Sequence, residues 1–106
     1  MAKFMIRARY SPEGLRGLQK DGGTGRQQAI SNALNAMGGK LEGLYFALGE
    51  DDVFVICDMP DAASAAAIGI AVGASGLVQT RTTPLLTVEE LDKAVRKSVD
   101  YRAPGR

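Results

Sequence analysis

The sequence has no histidine, no tryptophan and only one cysteine among its 106 residues. Without histidine there is no imidazole general base, no Ser-His-Asp or Cys-His triad, no usual zinc site and no His-ligated haem. A lone cysteine cannot close an internal disulfide, so nothing points to an oxidising compartment. Charge of one sign is also missing. Thirteen Lys and Arg against twelve Asp and Glu leave a formal charge of +1, which advertises neither nucleic acid nor an acidic membrane as a partner. The start, Met1 to Arg7, is charged within a few residues and lacks the apolar stretch and cleavage site of a signal peptide. The uncharged run from Ala62 to Thr80 is mostly Ala, Gly and Ser, too weakly apolar for a span of about 20 strongly apolar residues. One cytoplasmic domain is expected.

What is present is a clear alternation of elements. Lys3 to Tyr10 places Phe4, Ile6, Ala8 and Tyr10 on one face and Met5, Arg7 and Arg9 on the other, the period of a strand. Ser11-Pro12 then caps a short helical turn carrying Leu15 and Leu18, which Asp21-Gly22-Gly23-Thr24-Gly25 interrupts. Ile30, Ala33, Leu34 and Met37 recur at helical spacing until Gly38-Gly39. Leu41 to Leu48 reads as a second strand, apolar on both faces, and a polar turn leads to the β-branched run Val53 to Cys57. The short link makes these two an antiparallel hairpin.

Asp61 caps a helix of small residues reaching about Ser75, with Gly69 and Gly73 four apart, which predicts burial on two sides. Leu77 to Leu86 is a fourth strand with Gln79, Arg81 and Thr83 on one face. Thr87-Val88-Glu89-Glu90 is a capping box opening a helix with Leu91, Ala94, Val95 and Val99 in one stripe. The domain thus spans 1–99, followed by a tail at 100–106.

This order, β-α-β-β-α-β plus a C-terminal helix, is the ferredoxin-like α+β pattern, an antiparallel sheet with helices on one face. The bare face would carry Met5, Phe54 and Ile56 beside charged residues. Soluble monomers rarely expose so large an apolar patch, so a homodimer or larger homo-oligomer is expected.

The chain resembles the GYD family of small bacterial and archaeal proteins through Tyr10-Ser11-Pro12-Glu13-Gly14, Leu34-Asn35-Ala36-Met37-Gly38-Gly39-Lys40-Leu41 and Thr87-Val88-Glu89-Glu90. Gly49-Glu50-Asp51-Asp52 stands where that family has its Gly-x-Tyr-Asp signature, with Asp51 in place of the tyrosine. The resemblance implies a dimeric α/β barrel. Relatives by fold include cofactor-free monooxygenases, haem-degrading enzymes, isomerases and ligand-sensing domains, and fold alone transfers none of these activities.

The candidate site residues are Arg7, Arg9, Tyr45, Asp52 and Arg81. Arg7 and Arg9 share one face of a central strand, and the ferredoxin-like order brings Arg81 beside them. They form either an ion-pair network with Asp52 and Asp58 or a pocket for a small anionic or carbonyl ligand. Tyr45 and Tyr10 offer hydroxyls but also suit packing. Asp52 is the best carboxylate for catalysis, but the preferred reading is that it satisfies turn amides or an arginine. Gly22 to Gly25 precedes a helix without the Lys-Ser or Lys-Thr of a phosphate loop and reads as a hinge. Cys57 in an apolar strand reads as a small hydrophobe. No metal cluster stands out and no cofactor is expected. The functional expectation is an oligomeric module binding a small anionic or carbonyl molecule. The alternative is a cofactor-independent enzyme, such as an isomerase or monooxygenase.

Overall fold

The computed structural model describes all 106 residues. The alternating start forms β1 (Ala2–Tyr10), followed by α1 (Pro12–Ala36), β2 (Lys40–Phe46), β3 (Val53–Met59), α2 (Ala62–Ala74), β4 (Val78–Leu85) and α3 (Val88–Arg96). The strands pair in the order β2-β3-β1-β4, antiparallel throughout. This is the expected ferredoxin-like α+β architecture with an additional C-terminal helix. No helix is long and apolar enough to cross a membrane.

Period-2 patterning sorts the two faces. Phe4, Ile6 and Ala8 of β1 and Val53, Val55 and Cys57 of β3 are buried, and they join Leu34 and Ala65 of the helices in the core. Met5 and Arg7 of β1 and Phe54, Ile56 and Asp58 of β3 fall between them on the opposite face, half-buried. The ambiguity of β2 is resolved by a bulge between Leu41 and Gly43. One extra residue, Glu42, shifts the alternation. Leu41 and Leu44, three apart, thereby pair with Cys57 and Val55 on the core face, while Tyr45 pairs with Phe54 on the bare one.

Three expectations need correction. The helix after Ser11 is not interrupted over the whole of Asp21 to Gly25; helical geometry fails only at Gly22, whose φ of 71° and ψ of 174° kink α1. Positive φ with extended ψ is accessible to glycine alone, so the kink costs one residue and the helix resumes at Gly23. α2 is not buried on two sides either. Only Ala65 is fully buried, and Ile70 is exposed on the outer side. Small residues permit close approach from either side, yet within one chain only the sheet is there to meet them.

The third concerns the last helix, which stops at Arg96 and leaves Val99 outside the stripe expected to carry it. The capping box forms as expected, with Glu90 N–H donating to Thr87 Oγ1 and Thr87 N–H to the Glu90 carboxylate. Hydrogen bonding from the Thr87 N–H, and then from the Thr87 hydroxyl, holds the Glu90 carboxyl below its usual range. The apolar stripe, however, finds no partner in the chain. Val88, Leu91 and Val95 are all exposed, as are Val99 and Tyr101 beyond them. The molecule is accordingly elongated, 56 × 32 × 23 Å with a radius of gyration of 16.7 Å, against about 13 Å for a compact domain of this length.

Candidate functional site

The bare face of the sheet carries two separate charged groups, one at each end of β1. At the start of β1, Lys3 Nζ donates to Asp58 at 2.9 Å and also to Glu42, the residue of the β2 bulge. Hydrogen bonds to Glu42 and then Asp58 raise the ammonium above its ordinary value of 10.5. Asp58 is therefore occupied by a lysine at the far end of the strand and does not serve the arginines.

At the other end, register places Arg7 directly opposite Arg81, and Arg9 opposite Gln79. Cross-strand neighbours have Cβ atoms about 4.5–5.5 Å apart, and like charges so paired repel. One acid answers them. Asp51 lies in the β2–β3 turn, only 9% exposed, and both its oxygens accept from Arg81 Nη2, at 2.9 and 2.8 Å. A single guanidinium nitrogen is thereby shared between two oxygens, instead of two nitrogens matching two oxygens. Arg7 forms no ion pair, and its Nε is buried without any acceptor.

Asp52 does something different from its neighbour. The β1–β3 ladder begins only at Val53, opposite Ala8, so Tyr10 N–H meets no β3 carbonyl. Asp52 Oδ2 accepts from it at 2.9 Å, while Asp52 N–H donates to Ala8 O at 2.8 Å. The carboxylate thus completes the ladder where the backbone turns away. Sequence reasoning chose Asp52 over Asp51 as the arginines' acid. The alternation of β3 cannot be extended into the turn, so nothing in the pattern says which of two adjacent acids points inward. The one signal was Asp51 itself, an acid at the position where the resemblance calls for tyrosine.

Tyr45 stands on the same bare face but on β2, at the opposite edge of the sheet from Arg81, and is 70% exposed. Three strand spacings, about 14 Å, separate those edges. Within one chain Tyr45 and Arg81 are not neighbours, and Tyr45 is not among the residues of the cleft beside Arg81. The arginines instead border an open cleft of about 570 Å³ that runs over the free edge of β4, with Arg9, Arg81, Asp51, Glu50 and Gln79 on one side and Gly69 and Gly73 of α2 on the other. None of its lining is hydrophobic. In the cleft two guanidinium groups, at Arg9 and Arg81, face two carboxylates, at Asp51 and Glu50, while Arg7 lies beside it on β1 and has no acid of its own. The unpaired positive charge is that of Arg7.

Cys57 lies on the helix side, fully buried, and its thiol points at Phe4 O 3.8 Å away. Burial pushes it above its usual value of 9.0, which suppresses the thiolate needed of a nucleophile. No group of three or more acidic or thiol side chains could hold a metal ion.

Two helices packed on one side of a four-stranded antiparallel sheet, with Arg7 and Arg81 on the other, define a ferredoxin-like domain with charged side chains on its bare face. The family model for the GYD domain matches residues 4–95. The chain belongs to the GYD domain family. No curated protein and no solved structure matches it.

Proposed function

We propose that the protein is an oligomeric module that binds a small anion on the bare sheet face, between Arg7 and Arg81. The observation that carries this reading is the direct pairing of those two arginines, with Arg7 Nε buried and lacking an acceptor. A buried donor left unpaired costs about 1–3 kcal/mol, and repulsion between the guanidinium groups adds to it. A carboxylate or phosphate placed between them supplies the acceptor and cancels the repulsion together. Phe54, directly opposite Arg7 on β3, offers an apolar surface for the rest of such a molecule.

A second copy of the chain supports the same site. Met5, Phe54 and Ile56 give the bare face an apolar centre, and the stripe of α3 needs a surface that its own chain does not supply. Covering the face would exclude water from the arginines and strengthen every contact they make. Static light scattering at micromolar concentration should therefore report at least twice the 11.2 kDa of one chain; a lone 11.2 kDa species contradicts the assembly.

The binding reading is tested by melting. Phosphate, sulfate or a small dicarboxylate at millimolar concentration, with ionic strength held constant, should raise the melting temperature of the protein by several degrees. Arg7→Met should abolish the rise. Asp51→Asn should enlarge it, because Arg81 loses its competing carboxylate. Indifference of the unmodified protein to all three anions would leave the arginines structural. A cofactor-independent isomerase or monooxygenase would need a hydroxyl beside the arginines, and Tyr45 stands at the other edge of the sheet. Within one chain the geometry favours binding.

A further inference from the structure

On the other side of the sheet the helical layer is incompletely filled. α1 and α2 lie apart over the core, and a furrow of about 100 Å³ runs between them above β1 and β3. Ile30 and Leu34 of α1 form one wall and Ile68 and Val72 of α2 the other. The gap has a sequence cause. α1 turns Ala29 and Ala33 toward it, and the adjacent turns of α2 are built from alanine and glycine, so no large side chain reaches across. Protein interiors seldom keep such voids, and an apolar void stays dry and accepts apolar guests.

Of the fourteen residues lining the furrow twelve are hydrophobic; the exceptions are Thr80 and Arg26. Arg26 sits where α1 resumes beyond the Gly22 kink, and its side chain is 28% exposed. Its Nε is buried and has no acceptor. The nearest acid, Asp21, lies 3.9 Å from Nη1, beyond hydrogen-bond reach, and does nothing for Nε. A cation with an unmet donor therefore stands at an apolar slot, on the side of the sheet away from Arg7 and Arg81.

We propose that the furrow between α1 and α2 binds a short unbranched aliphatic monocarboxylate, its chain between Ile30 and Val72 and its carboxylate on Arg26. The carboxylate supplies the acceptor that Arg26 Nε lacks, and the methylenes fill space that no side chain of the protein occupies. The slot is smaller than the cavity of about 150 Å³ known to admit benzene, which selects a chain of a few carbons over a branched or aromatic acid.

Calorimetric titration with acetate, butanoate and hexanoate, at constant pH and ionic strength, tests this on the unmodified protein. Affinity should rise about fourfold for each methylene that becomes buried, the equivalent of its transfer free energy, and hexan-1-ol should bind at least tenfold more weakly than hexanoate. Arg26→Met should remove that preference for the acid. Methyl resonances of Ile30, Ile68 and Val72 should shift on titration, whether or not the amides of Arg7 and Arg81 also respond to the carboxylate. Affinity independent of chain length, equal binding of alcohol and acid, or shifts confined to the arginine face would each overturn the proposal. The last of these would instead place the carboxylate on the face proposed above for anions, so the two sites stand or fall separately.

Discussion

Gly14→Ala is expected to destabilise the protein by about 2–4 kcal/mol, from overpacking and the loss of one backbone hydrogen bond. Gly14 is buried in the first turn of α1, where its N–H donates to the capping hydroxyl of Ser11 at 3.0 Å. A methyl at Gly14 would lie 2.3 Å from the carbonyl oxygen of Leu77 and 3.2 Å from the ring of Tyr10. The Leu77 oxygen cannot simply step aside. It accepts Ser11 N–H at 2.8 Å, the bond that ties the start of α1 to the approach to β4. Alanine is the better helix former by about 1 kcal/mol, and on an exposed turn that would win. Here the obstacle is backbone, so the clash outweighs the propensity. Urea denaturation should show a lower midpoint with an unchanged slope; a midpoint at or above that of the unmodified protein would mean that α1 and β4 approach less closely than described.

Leu34→Ala should cost about 2–5 kcal/mol. Leu34 is 1% exposed, among the most deeply buried of the core side chains, and its removal enlarges a furrow that is already open beside it. The cost of such a deletion depends on how well neighbours can close in. The alanines along the rim of α1 cannot reach in, and the furrow already separates Leu34 from Ile68 and Val72, which sets the expected loss toward the upper part of that range. The core holds only nine buried hydrophobic residues, and domains of this size have about 5–15 kcal/mol in total. Thermal unfolding should broaden and move down by many degrees. A shift within error of zero would show that Leu34 is not part of the core.

Much of this fold can be read from the residues, for reasons that also mark where reading stops. β1 alternates, so its pattern predicts both element and orientation; β3, apolar throughout from Val53 to Cys57, predicts the strand, and its orientation follows from its pairing with β1. The caps at Ser11, Asp61 and Thr87 are local chemistry: each side chain accepts from an amide three residues on. The Asp61 carboxyl is held below its ordinary 3.8 chiefly by the Ser64 amide. What could not be read are features decided between elements. The bulge at Glu42 is chosen by the pairing of β2 with β3, and the exposure of α3 by the absence of a surface to receive it. In the site, the meeting of Arg7 with Arg81 follows from strand order alone. The choice of Asp51 depends on the path of a turn that no periodicity describes.

The central claim is that Arg7 and Arg81 form an anion site on the bare sheet face. Its most direct test is an amide-resolved titration of isotope-labelled protein with inorganic phosphate, at fixed pH and ionic strength. The account predicts saturable shifts centred on Arg7, Phe54 and Arg81, with the Arg7 Nε–H moving downfield as it gains an acceptor, while the Lys3 end of the same strand stays still. Shifts that never saturate, or that spread evenly over exposed lysines and arginines, would contradict it.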